Sequence, residues 1–267
     1  GLTLGEDDAR PLSGKRVLVT RAQAQNKDLC ERIKQIGGEP YEFPTIRISP
    51  PASYRELDEA IRQLSRYTWV IFTSVNGVDH FFRRLSVVTG EDARQLVHTS
   101  IAAIGPKTAK ALTEKGLKVD VLPGEYRAEA LLSELKQHVT KVDKILLPRA
   151  SVARNVLPDG LRAIGCDVTV VDAYQTEPET EKASEVVKLL AERQIDIITF
   201  TSPSTVRHFV LALDQTGEPW RDWITEAQIV CIGPITESAL NELGLGSAAV
   251  AADYTVEGLV EAIETLT

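Results

Sequence analysis

The sequence predicts an α/β protein of two related lobes, each with a parallel sheet flanked by helices, joined by two extended crossing segments. Three observations lead to this fold class. Short β-branched runs of strand length alternate with amphipathic helical segments along the chain, a pattern typical of parallel sheets covered on both faces. The second half of the chain repeats the first. Two proline-punctuated stretches, 39–51 and 167–179, hold equivalent places in the two copies.

The repeat is clearest where an apolar strand leads into a helix. Segments 69–77 and 197–205 both pass from a β-branched run to a Thr-Ser pair, at Thr73 and Thr201, and 201 − 73 = 128. A serine there can cap the following helix. Other residues paired at the same interval of 128 are Arg21 with Arg149, His80 with His208, Gly105 with Gly233, Thr108 with Thr236, and Gly116 with Gly244. A duplication explains this regularity.

The first copy can be divided into elements in chain order. Expected strands lie at 16–21, 69–73, 101–104 and 119–122, and expected helices at 29–36, 53–66, from 106 to Gly116, and 128–138. Prolines forbid a helix between 39 and 51, so that stretch is predicted to be extended. The second copy should repeat these elements, with 167–179 as its extended stretch.

The composition excludes several classes of protein. Thirty basic residues against thirty-eight acidic ones give a net charge of −8, which argues against a nucleic-acid or membrane-surface partner. Three scattered cysteines have neither disulfide nor metal-site spacing, which favours a reducing cytoplasm. The opening segment 1–13 lacks the apolar centre of a signal peptide, and no run is long enough to span a membrane. An anionic ligand would therefore have to be held locally.

The candidate binding residues follow the strands, because ligands of open parallel sheets bind at the carboxyl ends, where helix N-termini present unpaired N–H groups. Beyond Thr20, the candidates are Arg21, Thr73, Ser74, Asn76, Gly105 and Thr108 in the first copy, and Arg149, Thr201, Ser202, Ser204, Gly233 and Thr236 in the second. Hydroxyls and backbone amides suit a ligand with several carboxylates. Each hydroxyl also has a purely structural interpretation as a helix-starting residue.

Positions where the copies differ indicate where a duplicated scaffold becomes asymmetric. Tyr174 stands where the first copy has Ile46. A phenol there could donate a proton, or it could pack at a lobe junction. Lys107 stands opposite Ile235 and is interpreted as a solvated cation. The positions of His80 and His208 inside helices favour a surface or packing role for both residues.

Taken together, these segments resemble the uroporphyrinogen-III synthase family over nearly the whole chain after the leader. The stretches that carry the resemblance are VLVTR at 17–21, IFTS at 71–74, AIGPKTA at 103–109, AYQT at 173–176, FTSP at 200–203 and IGPIT at 232–236. The resemblance implies a lobe of residues 1–45 with 176–267 and a lobe of residues 46–175. It also implies a two-stranded ladder joining them and an exchange between the copies.

The resemblance further implies a lyase of porphyrin biosynthesis, which closes linear hydroxymethylbilane into uroporphyrinogen III with inversion of the last ring and loss of water. No cofactor or metal is expected. The family's tyrosine falls on Tyr174, its helix-start threonines on Thr108 and Thr236, and its Thr-Ser strand end on Thr73 and Ser74, with Ser202 in the second copy. Asn76 stands where some members carry a basic residue.

The implied mechanism is loss of the terminal hydroxyl with help from an acid such as Tyr174, followed by a spiro intermediate. We expect a cytoplasmic monomer whose partner is its small substrate. Two alternatives remain at this point. One is a two-lobed anion-binding protein without catalysis, and the other is a nucleotide-dependent transferase, which the absence of a correctly placed glycine-rich loop disfavours.

Overall fold

The computed structural model describes residues 10–21, 26–179, 181–253 and 255–266. The opening segment 1–13 was predicted not to be a signal peptide. Residues 1–9 of that segment lie outside the described residues. The chain forms two units. One combines the residues up to Arg47 with those from Glu177 onward, and the other runs from Ile48 to Thr176.

Strands and helices alternate along both copies. The strands are β1 (Arg16–Val19), β2 (Glu39–Glu42), β3 (Ile46–Ser49), β4 (Trp69–Phe72), β5 (Ser100–Ala103), β6 (Lys144–Ala150), β7 (Asp167–Pro178), β8 (Ile197–Phe200), β9 (Gln228–Ile232) and β10 (Ala249–Ala251). The helices are α1 (Lys27–Gln35), α2 (Arg55–Arg62), α3 (Val75–Thr89), α4 (Pro106–Thr113), α5 (Ala128–Leu135), α6 (Val156–Ile164), α7 (Ala183–Ala191), α8 (Pro203–Asp214), α9 (Trp220–Ile224), α10 (Gly233–Glu242) and α11 (Val256–Glu264). In the described residues, no helix is both long and apolar enough to cross a membrane.

Each unit is built on one five-stranded sheet. The orders are β10-β9-β8-β1-β2 and β3-β7-β6-β4-β5, and β1 pairs in parallel with both its neighbours. Both faces of the sheets are covered, as shown by the alternate residues of a strand, which pack in different apolar clusters. Leu18 packs in one apolar cluster, whereas Val17 and Val19 pack in another. The predicted fold class is confirmed, including the extended stretches, which contain β2, β3 and β7.

The two copies exchange strands. In the first unit Val17 of β1 pairs with Ile197 of β8, and in the second Trp69 of β4 pairs with Ile145 of β6. These pairs are equivalent under the 128-residue repeat. The opening strands of each copy thus complete the sheet of the other.

The strand order places the candidate residues at one point of each sheet. In each sheet, successive strands are added to opposite sides of one pair of neighbouring parallel strands, β1 and β8 in one unit and β6 and β4 in the other. Ligands of such sheets bind outside the carboxyl ends at this switch point. Arg21 and Ser202 follow the first pair of strands. Arg149 and Ser74 stand at the ends of the second pair.

Four predicted elements differ from the observed ones, and one of them is the helix expected from 106 to Gly116, which ends at Thr113. The strand expected at 119–122 is an isolated bridge between Ala102 and Val121, because Pro123 follows without an N–H to extend the pairing and Leu122 is 42% exposed. The helix expected at 53–66 ends at Arg62, with a short 3₁₀ turn after it, and the helix expected at 128–138 ends at Leu135.

Candidate active site

Tyr174 lies in the second half of β7, opposite the last residue of β6, and a β-bulge sets the direction of its side chain. Arg149 of β6 pairs with Asp172, but the next residue, Ala150, pairs with Tyr174, so Ala173 is the extra residue. Ala173 and Tyr174 therefore enter the same apolar cluster, although adjacent strand residues normally point to opposite faces. The Tyr174 ring is only 7% exposed.

The hydroxyl of Tyr174 lies 2.9 Å from Oγ of Ser74, within hydrogen-bonding distance. Ser74 is the N-cap of α3, and its Oγ accepts a 3.0 Å hydrogen bond from the backbone N–H of Gly77. A side chain at Gly77 would crowd Ser74 Oγ and the carbonyl of Pro148, with a Cβ 3.2 and 3.3 Å from them. Glycine thus lets the N-terminus of α3 approach the end of β6. The structure brings together the predicted catalytic tyrosine and a predicted binding serine.

His80 lies one to two helical turns beyond Ser74 and contacts the same tyrosine. Its imidazole stacks on the Tyr174 ring, with centroids 5.4 Å apart and planes inclined by 30°. Burial, with a smaller effect from Arg83, lowers the pKa of His80 below its usual 6.5. The imidazole is therefore neutral at pH 7. The sequence signal for this contact is limited to the position of His80 in the second turn of the helix that Ser74 caps.

Arg149 is the penultimate residue of β6, and the loop that follows fixes its side chain. Its guanidinium donates 2.8 Å and 2.6 Å hydrogen bonds to the carbonyl of Arg154 and to Oδ1 of Asn155. Burial lowers the pKa of Arg149, but a guanidinium stays charged at neutral pH. Two of its five N–H groups are used in these bonds, so others can bind an anion.

In the other unit, Arg21 follows β1 and is half-buried. Burial lowers its pKa, and its buried Nε has no hydrogen-bond partner within the described residues. Asn26 donates a 3.0 Å bond to the Arg21 carbonyl. Thr20 has a different role, because its hydroxyl donates a 2.6 Å bond to the carbonyl of Thr199 inside the sheet. Thr20 is therefore structural, whereas Arg21 carries a donor that could meet an anion.

The remaining hydroxyl candidates lie at helix starts. Ser202 forms a capping box with Thr205 at the start of α8, and its Oγ lies 3.1 Å from that of Ser204. Gly105 and Gly233 have φ of +85° and +75°, which only glycine adopts without strain. Thr108 and Thr236 are buried in the first turns of α4 and α10, Thr73 and Thr201 are partly exposed, and Asn76 and Ser204 are exposed.

Comparison with known proteins identifies the family. The family model for uroporphyrinogen-III synthase HemD matches residues 27–261. A uroporphyrinogen-III synthase of Synechococcus elongatus is 34% identical over 258 residues, covering 96% of each chain. The chain belongs to the uroporphyrinogen-III synthase family. A further relative, the uroporphyrinogen-III synthase of Chlorobaculum parvum, is 28% identical over 86% of this chain and 90% of that protein.

Solved structures of uroporphyrinogen-III synthases share the fold. A mutant of the Thermus thermophilus enzyme superposes with a TM-score of 0.64 at 19% identity, over 94% of this chain and 98% of that one. The Helicobacter pylori enzyme gives 0.60 at 17% identity, over 95% and 100%. The predicted function, a uroporphyrinogen-III synthase and thus a lyase of porphyrin biosynthesis, is confirmed by the family match. The alternative of a non-catalytic anion-binding protein gains no support.

Proposed function

We propose that this chain closes hydroxymethylbilane into uroporphyrinogen III with Tyr174 as the proton donor, and that residues at the strand ends bind the substrate's carboxylates. The observation that carries the assignment of the acid is the hydrogen bond between Tyr174 and Ser74. A phenol held beside a helix N-terminus has the chemistry required of a general acid.

The polar groups around Tyr174 form a chain with one consistent direction. The N–H of Gly77 donates to Ser74 Oγ, which leaves the Ser74 proton free to donate to the Tyr174 oxygen. Tyr174 can then donate its own proton to the substrate. Once it has done so, the phenolate keeps the Ser74 hydrogen bond and faces the positive end of the α3 dipole. Ser74 therefore remains bonded to the Tyr174 oxygen before and after the transfer.

The chemistry that follows belongs mostly to the substrate. The terminal C–O bond breaks, the hydroxyl leaves as water with the Tyr174 proton, and the pyrrole nitrogen supplies the electron pair that stabilises the cation. The substituted carbon of the last ring attacks that cation to give a spiro intermediate, which fragments and recloses with the ring inverted. A proton lost from the closing ring carbon restores the phenol. Positioning of a flexible chain is the protein's main contribution.

The substrate is a polyanion, and the arginines and helix starts are suited to it. A carboxylate beside Arg21 would satisfy its buried, unpartnered Nε, and Arg149 has N–H groups to spare. A hydrogen bond to a charged group contributes roughly 1.5–3 kcal/mol, and a helix N-terminus about 0.3–1 kcal/mol more. Several such contacts would outweigh the net charge of −8. The hydroxyls of Thr73, Thr201, Ser202 and Thr236 would add further donors.

We also propose a cytoplasmic monomer that uses no nucleic-acid partner. The acidic composition supports the last point. The three cysteines are buried and unpaired, which suits a reducing compartment.

Replacing Tyr174 with phenylalanine tests the acid. Tyr174→Phe keeps the ring and its packing, so we expect kcat to fall on the order of 10²-fold with little change in KM or thermal stability. Fresh hydroxymethylbilane is supplied and the cyclic isomers are separated by chromatography. Tyr67→Phe, which removes a hydroxyl elsewhere in the same unit, serves as the control and should keep full activity. Unchanged turnover by Tyr174→Phe would assign the proton to water or to the substrate instead.

A further inference from the structure

The side of the Tyr174 ring is held by a residue to which neither the reaction nor the sequence motifs assign a function. The imidazole of His80 lies against that ring in an offset stack, with centroids 5.4 Å apart. Both side chains belong to the Ile48–Thr176 unit. The ring of Tyr174 is thus fixed at two places, at its hydroxyl by Ser74 and along one face by His80.

We propose that His80 is a positioning residue for this reaction, acting by fixing the plane of the Tyr174 ring so that the phenol O–H points at the departing hydroxyl. This inference rests on the proposed acid role of Tyr174. A single hydrogen bond at Ser74 fixes the tip of the side chain, but it leaves the ring free to rock about that point. A stacked neighbour removes this freedom, and displacements of about 1 Å at a reacting group can cost up to roughly 10²-fold in rate.

The same helix makes both contacts. Ser74 caps the start of α3, and His80 lies in its second turn. The close approach of Gly77 to the Pro148 carbonyl brings the start of the helix against the end of β6. One rigid element therefore sets the position of the hydroxyl partner and of the stacked ring together.

A neutral ring suits this position. The charged groups acting on His80 are Arg83 and Asp79 of its own helix; burial, the largest effect, and Arg83 lower its pKa, whereas Asp79 raises it. Aromatic pairs in offset stacks at this separation attract each other beyond the effect of burial alone. His80 therefore holds the phenol by ring contact without placing a cation beside it.

The duplication supplies a matched control. His208 is the equivalent histidine in the other copy, at the same place in α8, and burial lowers its pKa as well. Ile46, which belongs to the same unit as His208, is the position equivalent to Tyr174 and has no hydroxyl. Truncating His208 thus removes a similar half-buried imidazole without touching a phenol.

The test compares His80→Ala, His80→Phe and His208→Ala, each alone, and His80→Ala combined with Tyr174→Phe. We expect His80→Ala to lower kcat about three- to tenfold with KM within about twofold. His80→Phe should restore most of the rate, because it keeps a stacking ring. His208→Ala should match the wild type. Thermal unfolding of every variant checks that it is folded.

The double variant separates the two hypotheses. If His80 acts through Tyr174, His80→Ala causes no further loss once Tyr174 is phenylalanine, because the two effects are not independent. An equal loss in both backgrounds, or no rescue by His80→Phe, would overturn the positioning role and leave the acid role standing. Full turnover by Tyr174→Phe alone would overturn both.

Discussion

Ser74 and Ser202 are equivalent residues of the two copies, and each caps a helix, but only Ser74 has a phenol as its neighbour. Ser74 Oγ accepts from Gly77 and lies 2.9 Å from the Tyr174 hydroxyl. Ser202 Oγ accepts a 3.2 Å bond from the N–H of Thr205 within a capping box. At the scale of single residues, Ser202 caps a helix, whereas Ser74 caps a helix and also contacts the candidate acid.

This difference predicts unlike results from the same substitution. Ser74→Ala and Ser202→Ala should each lower the free energy of unfolding by about 0.5–2 kcal/mol, because each removes an N-cap. Only Ser74→Ala should also lower kcat, by roughly tenfold, since it removes the donor that stabilises the phenolate. Ser202→Ala should raise KM modestly. Urea unfolding and initial rates measure both effects, and an equal kcat for the two variants would contradict the hydrogen-bond chain.

The sequence predicted which residues stand at the strand ends, but not the contacts between them. Tyr174 and Ser74 both emerged as candidates because strand ends and copy mismatches can be read from the order of residues. The bulge at Ala173 could not be read in this way, because the copies stay in the same numerical register across it. Without the bulge, alternation would turn Tyr174 away from the face that holds Val171 and Ala173. The sequence favours a surface or packing role for His80, and the histidine does pack, but its partner is the candidate acid.

At the scale of elements, an ion pair joins α2 to α3, the helix that carries Ser74 and His80. Arg84 donates from Nε and one terminal nitrogen to the two carboxylate oxygens of Asp58, both at 2.7 Å. The Arg84 guanidinium also lies 3.7 Å from the centre of the Tyr54 ring. The Arg84 hydrogen bonds lower the pKa of Asp58 below its usual 3.8. This paired geometry and partial burial make the contact stronger than an exposed pair.

Asp58→Asn should therefore lower the free energy of unfolding by about 1–3 kcal/mol near pH 7. Because the pKa of Asp58 is lower in the folded protein than in the unfolded chain, its stabilisation is complete above pH 3.8. It is lost as the pH falls through the lowered value. Wild type and variant should thus converge in stability under acid, as followed by urea unfolding at several pH values. Asp92→Asn is the control, since its pair with Arg94 is well exposed, and a loss as large there would contradict this account.

Elements with strong local signals could be predicted from the sequence, and elements that depend on tertiary pairing could not. The run that becomes β8 is apolar, β-branched and followed by a capping serine and a proline, and it was predicted correctly. The run at 119–122 has similar residues, but Pro123 follows it and only Val121 pairs, so a bridge replaces the strand. In the second copy, the equivalent chain forms β10. The pairing partner, not the local propensity, decides between these outcomes.

At the scale of the whole molecule, the exchange of strands makes the two units differ in their dependence on the chain ends. The sheet of the Ile48–Thr176 unit is drawn from one continuous stretch, β3 to β7. The other sheet needs β1 and β2 from the start of the chain and β8 to β10 from its end. The periodic sequence alone predicts two similar lobes, but it contains no local signal for which copy supplies each strand. That part of the fold came from the family resemblance.

A chain shortened to residues 46–267 should consequently lose one unit and keep the other. It lacks β1, whose Val17, Leu18 and Val19 are fully buried, so β8 would lose its neighbour and the core on both faces. Thiol labelling reports on each unit separately. Cys231 lies in β9, where burial raises its pKa to about 11, and Cys166 is buried in the continuous unit, where burial also raises its pKa.

In the full-length protein, both thiols should resist iodoacetamide at pH 8 until denaturant is added, because a buried thiol is neither ionised nor accessible. In the shortened chain, Cys231 should label at a rate close to that of unfolded protein, while Cys166 stays protected. Mass spectrometry of the two peptides gives the rates. Protection of Cys231 in the shortened chain would mean that the β8 to β10 half folds without β1, and that the exchanged strands are not required for this core.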